Sequence, residues 1–495
     1  MRDIRDVLSR FGRYNCSAMH LGGIMGNASA RTGGKILADQ LRLHGADMIF
    51  GVPGESYLAV LDALYDYCET MPFIVCRQEG GAAMMAEAYG KLTGRPGICM
   101  VTRGPGATNA SSGVHVAKQD STPMILFIGQ VERGVSGREA FQEVDFCEMF
   151  GPLAKWAAQI DSPARIPEYI SRAFHIAVSG RPGPVVLALP EDMLREEAEV
   201  PDPERYQRIE PRPAPEQMSR FKELLSQAKR PLAILGGGGW DAETAGRIEA
   251  FLSAGGVPAA VTFRRQDYFN NDNPCYAGDI GVNVNPALAE RIKEADLIIA
   301  LGTRLSEAST SGYTLLDIPR PKQKLIHVHA DASELGRVYQ ADLPINASPR
   351  SFAQALAVTP APEGSGWKKW REEARKDYES WRQPTNTAGT LQMAEIMSWL
   401  RKRLAHDAII TNGAGNYAAW IHRFFRFRQF GTQLGPASGS MGYGVPAAVA
   451  AKLLYPERTV VAFSGDGCFL MTGQEFATAM QYKAPAIFIA VNNGM

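Results

Sequence analysis

The stretch that most constrains this chain runs from Arg458 to Met495 and reads RTVVAFSGDGCFLMTGQEFATAMQYKAPAIFIAVNNGM. Arg458 to Phe463 reads as a short apolar strand and Ser464-Gly465-Asp466-Gly467 as a tight turn. Thr472 followed by Glu475 has the spacing of a capping box, and Phe476, Ala479 and Met480 recur at helical intervals. Ala484 to Val491 is an apolar run short enough for a buried parallel strand. The unit is β-turn-α-β, and its right-handed crossover lays the two strands side by side in one direction. Asp466 and the Asn492-Asn493 pair then leave the sheet at the carboxyl edge, where open α/β sheets bind ligands. A carboxylate, an amide oxygen and a backbone carbonyl such as that of Met495 suit a hard cation that keeps diphosphate oxygens as further ligands, Mg²⁺ being the usual case. Taken singly, GDG is a turn and NN a polar loop; the crossover between them makes them one site.

The same rhythm fills most of the 495 residues, a length that one core cannot serve. GGKILADQLRLHGADMIFGVPGESYLAVLDALYD, PFIVCRQEGGAAMMAEAYGKLTG and PGICMVTRGPGATNASSGVHVAKQD each combine an apolar strand with helix, and TPMILFIGQ adds a strand. RPLAILGGGGWDAETAGRIEAFLSAGGVPAAVT restarts the pattern, and ADLIIALGTRLSEAS and QKLIHVHADASELGR continue it. Such alternation means parallel sheets covered by helices, an α/β fold. Domains are expected at 33–200, 215–358 and 389–495, with the proline- and charge-rich stretch Pro201 to Pro215 as an exposed connector and the charged, Trp-containing stretch Thr359 to Ala388 as a second connector. Residues 1–32 lack the apolar core of a secretory signal, and Asp3 and Asp6 argue against a transit peptide; this extension has no assigned function.

Basic and acidic residues balance at 52 each, which gives no overall pull toward nucleic acid or an anionic membrane. No apolar run approaches a membrane span. Seven cysteines without CxxC spacing read as reduced thiols of a cytoplasmic protein.

Glu79 stands where a strand hands over to a helix, a place where a carboxylate also serves simply to satisfy free N–H groups. Gly104-Pro105-Gly106 permits close backbone approach or positive φ. Gly413, Ala414, Gly415 and Asn416 follow another strand and can offer backbone N–H groups to a diphosphate. Gly236 to Gly239 is a weaker phosphate signal, without a full GxGxxG pattern.

The segments GVPGES, RQEGGAAMMAEAYGKLTG, RGPGATNA, GPASGSMGYGVPAAVAAKL and SGDG…NN resemble, in order, the motifs of the thiamine-diphosphate-dependent enzymes. AFQE…KW is similar to acetolactate synthase large subunits, and the resemblance spans about Gly33 to Met495. It implies three doubly wound parallel-sheet domains: pyrimidine-binding, central and diphosphate-binding. The last is expected to be incomplete, since family members continue beyond the point where this chain stops.

It further implies that Glu79 touches N1′ of the aminopyrimidine, a role that wants a carboxyl in a mostly apolar pocket where desolvation raises its pKa. That contact promotes removal of the thiazolium C2 proton, after which the ring serves as electron sink. By the same resemblance Pro53, Gly54, Gly104, Pro105 and Asn109 line the cofactor, and Gln142 and Lys155 line the substrate channel. Gly439 and Met441 hold the pyrimidine, with the Met441 side chain beneath the bent cofactor. Gly413 to Asn416, Gly465, Asp466, Gly467, Cys468 and Asn493 hold the diphosphate, and Asp466, Asn493 and Met495 the metal.

The central domain carries a non-redox FAD in acetolactate synthases, so FAD is an allowed further ligand. Departures from the family pattern are Ala308 in RLSEA, where those enzymes have an arginine in RFDDR, Tyr417 in place of a frequent histidine, Lys118 in place of an apolar residue, and Cys468 in place of serine.

The function implied is decarboxylation of a pyruvate-like 2-keto acid with carboligation to a second one, in branched-chain amino-acid biosynthesis. A homodimer or tetramer is implied, with Glu79 of one subunit reaching a cofactor held by another, together with a regulatory subunit. The alternatives are a simple 2-keto-acid decarboxylase, another carboligase, a lyase, or a non-catalytic cofactor-binding remnant.

Overall fold

A computed structural model describes residues 30–362 and 364–494; what was expected of residues 1–29 and of Met495 lies outside the described residues. The first sheet contains β1 (Ile49–Gly51), β2 (Phe73–Val75), β3 (Gly97–Val101), β4 (Met124–Gln130), β5 (Trp156–Gln159) and β6 (Pro184–Pro190), in the order β2-β1-β3-β4-β6-β5. The second contains β7 (Pro231–Leu235), β8 (Ala259–Thr262), β9 (Tyr276–Ile280), β10 (Leu297–Leu301), β11 (Lys324–His329) and β12 (Leu343–Asn346), in the order β9-β8-β7-β10-β11-β12. In the third, β13 (Ile409–Asn412), β14 (Gln433–Leu434), β15 (Val460–Gly465) and β16 (Ile487–Val491) run β14-β13-β15-β16.

Neighbouring strands in all three sheets are parallel. Strands buried on both faces read as unbroken apolar runs, as in MILFIGQ of β4, where every residue is buried. Arg31–Thr32 pairs antiparallel with Glu197–Ala198 and so joins the two ends of the first unit.

Three helices place the site. α1 (Glu79–Thr93) starts at Gln78, whose side chain accepts the Gly81 N–H, and ends at Gly94 in the left-handed conformation. Gln78 therefore does the capping, which leaves the Glu79 carboxylate for other work. α2 (Pro105–Asp120) packs on α1 so closely that a Cβ added at Gly113 would lie 2.4 Å from the Ala83 Cβ. α3 (Gly444–Leu454) belongs to the third unit, yet Ala447, Ala448 and Ala451 share one buried cluster with Ala82, Ala83 and Ala86 of α1. Small side chains on both helices let the first and third units merge into a single core.

The closing stretch departs from its expected outline in three ways. β15 continues to Gly465 and α4 (Asp466–Thr472) begins at once, so a direct strand-to-helix junction replaces the turn. Thr472 ends α4 and does not cap α5 (Glu475–Gln481): its hydroxyl donates to the Gly442 carbonyl at 2.5 Å. A tertiary carbonyl outcompetes the local cap, as hydroxyl side chains readily allow. β16 begins at Ile487 and not at Ala484, since Pro485 cannot donate to the ladder.

Candidate active site

Strand order in the first sheet reverses between β1 and β3, and the loops after them, Pro53-Gly54 and Gly104-Pro105, open at that point. The Ser56 and Thr102 hydroxyls, 2.7 Å apart, tie the two loops together. Gly104 heads α2 at φ +58°, a conformation that favours glycine, and a Cβ there would lie 2.8 Å from that of Gln142. Asn109 Nδ2 donates to Glu79 Oε2 at 3.0 Å, and a Cβ on Gly106 would stand 3.5 Å from Glu79 Oε1. Glu79, Asn109, Gly104 to Gly106 and Gln142 thus converge.

Within one chain Glu79 is half-buried against Asn109 and does not lie in an enclosed apolar pocket. Lys155 is not brought to this cluster. It immediately precedes β5, and its N–H bonds the carbonyl of Pro184, the first residue of β6, at the amino edge of the sheet. Its Nζ donates to the Ile176 and Ser179 carbonyls. Lys118 is likewise held, by the Pro152 carbonyl.

The third sheet reverses between β13 and β15. Gly465 pairs with Val491, so Asp466 and Asn492 leave side by side at the carboxyl edge, with Asn493 next. The Asp466 side chain is exposed and has no hydrogen-bond or ion-pair partner among the described residues. No cluster of three His, Cys, Asp or Glu side chains suited to a metal occurs among the described residues. A cation here would need amide, backbone and ligand oxygens besides Asp466, the mix that a hard, partly hydrated ion accepts.

The Gly413 loop differs from expectation. The Gly413 N–H, expected to face a diphosphate, donates to the Tyr417 hydroxyl at 3.0 Å. That hydroxyl donates in turn to Cys468 Sγ at 3.5 Å, and the Gly442 N–H points to the same sulfur at 3.1 Å. Ala414, Gly415 and Asn416 remain on an accessible loop.

Space and unpaired polar atoms remain nearby. Gly439 has φ +69° with no atom within 4 Å of where a Cβ would sit. Met441 is 41 % exposed, with its methyl 3.7 Å from the Cβ position of Gly467, so it is no core methionine. The Ser438 and Ser464 hydroxyls are buried without partners among the described residues. Open glycine positions, orphaned hydroxyls and a free carboxylate at a strand end fit a phosphorylated ligand with its cation.

Between the second and third units lies a cavity of about 650 Å³, whose walls include Arg264, Asp279, Ala308, Ala414, Ser438 and Gly439. Arg264 is buried and bridges the units, donating to the Gly413 and Pro436 carbonyls; burial lowers its pKa to about 10. Burial pushes Asp279 up to about 7, with Gln266 donating to it at 3.1 Å. Burial and then Arg264 push His422 down to about 3. Sequence reasoning missed Arg264, Asp279 and His422; the arginine pair one residue beyond β8 was the one available hint. A groove of about 340 Å³ adjoins at the carboxyl edge of the second sheet, beside Gly237, Thr303 and Arg304. Arg265 and Tyr268 both donate to the Gly237 carbonyl there.

Three family models match in order: the N-terminal binding domain of thiamine pyrophosphate enzymes over residues 31–149, their central domain over 218–356, and their C-terminal binding domain over 413–495. The chain is 33% identical over 478 residues to an acetolactate synthase large subunit of Corynebacterium glutamicum, covering 94% of this chain and 75% of the relative. It is 32% identical over 483 residues to a probable acetolactate synthase large subunit of Methanocaldococcus jannaschii, covering 93% and 80%. To the isozyme 2 large subunit of Escherichia coli it is 31% identical over 466 residues, covering 93% and 83%.

Proposed function

This chain belongs to the thiamine-pyrophosphate enzymes of the acetolactate synthase large-subunit family, and from that premise we propose that it decarboxylates a pyruvate-like 2-keto acid and joins the product to a second one, with Mg²⁺ as the metal. The observation that carries the reading is the presence of two complementary switch-point clusters, Glu79 with Asn109 and Gln142 on the first sheet, and Asp466 with the Gly439–Met441 loop on the third. In this reading 33–200 is the pyrimidine-binding domain, 215–358 the central domain and 389–495 the diphosphate-binding domain.

When bound, thiamine diphosphate supplies a nucleophilic carbon and an electron sink for decarboxylation. The chain's residues provide the rest. Asp466 and Asn493 hold Mg²⁺, with the Met495 carbonyl as a further ligand. The backbone around Gly415, Asn416 and Gly467 faces phosphate oxygens. The Gly439 and Met441 carbonyls would hold the aminopyrimidine, with the half-exposed Met441 side chain beside it. Glu79 holds and returns a proton at its carboxyl oxygen, oriented by Asn109, and Gln142 borders the reacting end. Lys155 keeps no part in these steps, because its ammonium is already held by two carbonyls.

Completing the site needs a second copy, so that Glu79 of one chain meets Asp466 of another. Leu470 (79 % exposed), Met471, Phe476 and Met480 (67 %) on α4 and α5 form an apolar face that supports such a dimer. A flavin nucleotide belongs in the groove at Gly237 and Arg304, where the visible absorbance of purified protein tests it; no step above runs through it. A regulatory subunit remains part of the proposal, tested by co-purification. Among the described residues no helix is long and apolar enough to cross a membrane.

The test is turnover of pyruvate with thiamine diphosphate and Mg²⁺, with acetolactate as the expected product. Glu79→Gln should lower kcat by about a hundredfold or more while cofactor binding persists. Acetaldehyde without acetolactate would favour a simple decarboxylase. Absence of cofactor binding would overturn the reading.

A further inference from the structure

The large cavity holds a cation that the steps above leave unused. Arg423 lies in the last turn of the helix Tyr417–Phe424, which starts directly after the Gly413–Asn416 loop. Its Nε donates to the Trp381 carbonyl at 2.7 Å, and its guanidinium lies over the Trp381 ring, 3.9 Å from the centroid. Those two contacts fix the plane of the group. Nη1 and Nη2 have no hydrogen-bond or ion-pair partner among the described residues. Burial lowers the Arg423 pKa, and no carboxylate offsets it.

Arg423 borders the cavity together with Trp381, Ala308 and Ser438. Arg264, the other guanidinium there, already has both Nη groups committed to carbonyls. Two acids share the space: Asp279, which burial holds at about 7 and Gln266 hydrogen-bonds, and Glu307, which is exposed. Neither pairs with Arg423, and His422 beside it is neutral. Ala308 contributes only a methyl group. The cavity therefore presents one oriented, unpaired, forked donor next to loops assigned above to the cofactor.

We propose that Arg423 binds the carboxylate of a 2-keto-acid substrate through paired Nη–H···O bonds, and so sets the preference for acids over uncharged carbonyl compounds. Planar forks of this kind match carboxylate geometry. The assignment rests on the keto-acid reading given above.

The full chain, loaded with thiamine diphosphate and Mg²⁺, is assayed with pyruvate and titrated by calorimetry with oxamate, an unreactive carboxylate mimic of pyruvate. R423M should raise the pyruvate KM and the oxamate Kd by about ten- to hundredfold, with kcat and the cofactor Kd within about twofold. R423K should recover only part of the loss, since a single ammonium cannot fork. The KM for benzaldehyde as an uncharged acceptor should not change in R423M. If R423M melts early, R423Q, which keeps a donor for the Trp381 carbonyl, carries the same comparison.

Wild-type KM and oxamate affinity in a folded variant would overturn the assignment. A wild-type chain that binds thiamine diphosphate but ignores both pyruvate and oxamate would overturn it as well. A wild-type chain that binds no thiamine diphosphate overturns the functional reading, and the carboxylate assignment with it.

Discussion

Glu475, on the third unit, accepts the backbone N–H of Gln78 at 3.0 Å and so grips the residue directly before Glu79. The same carboxylate takes the Arg77 N–H at 3.0 and 3.2 Å and the Thr478 hydroxyl at 2.6 Å, and it is fully buried. The start of α1 is thereby fastened to the helix that follows the proposed metal site.

Glu475→Ala strands two partly buried N–H groups without their acceptor and removes a buried carboxylate, and it should cost about 1–3 kcal/mol of stability. A denaturant titration measures this, and amide exchange at Arg77 and Gln78 should accelerate with it. Glu475→Gln, which keeps one acceptor oxygen, should fall between. A Glu475→Ala midpoint equal to wild type would refute the clamp.

Asp120 joins all three units. Its carboxylate lies 2.8 Å from Lys91 Nζ and 3.3 Å from Arg265 Nη2, and it accepts the Ala437 N–H at 2.9 Å. Burial alone would raise its pKa, yet Lys91 and Arg265 hold it below the ordinary carboxylate value. Its contribution is present above that ordinary value and is lost as pH falls through the depressed one. Removing one member of a buried ionic set leaves the others uncompensated, so Asp120→Ala should destabilise by about 3–5 kcal/mol. Loss of fewer than about 1 kcal/mol in urea would contradict this.

Asp279 has the opposite sign. Its folded-state pKa, about 7, lies above the ordinary carboxyl value, so the folded chain holds a proton that the unfolded chain releases. That contribution is complete below the ordinary carboxyl range and disappears as pH rises through about 7. Asp279→Asn should therefore gain on wild type in melting temperature between about pH 5 and pH 8. A difference independent of pH would rule out a raised Asp279 pKa.

Among the described residues Asp466 has no partner to lose. Asp466→Asn should leave the stability of the ligand-free protein within about 0.5 kcal/mol while abolishing Mg²⁺-dependent binding of thiamine diphosphate. Calorimetry and a melting curve separate the two effects, and retained Mg²⁺-dependent affinity would remove Asp466 from the metal site.

The apolar face on α4 and α5 makes its own prediction. Leu470→Glu with Met480→Glu should weaken self-association by about a hundredfold or more, read as a shift toward monomer in sedimentation equilibrium. Unchanged sedimentation would place the dimer contact elsewhere.

Local pattern carried the scaffold. Apolar runs alternating with helical intervals announced parallel sheets, and the β15–β16 crossover put Asp466 beside Asn492 before any coordinates, because strand direction and handedness follow from the backbone. Gly104, in a stretch read as permitting close approach or positive φ, does take a positive φ. Which partner each polar group chose was not legible. Gly413 gave its N–H to Tyr417, Thr472 turned to Gly442, Glu475 crossed to Arg77 and Gln78, and Lys155 folded back on Ile176 and Ser179. Arg264, Asp279 and Arg423 meet around one cavity although they come from different units. Those choices depend on desolvation and on neighbours brought together by packing; Gly413 and Tyr417 are close in sequence, but the partners of Thr472, Glu475 and Lys155 are brought to them from distant stretches of the chain.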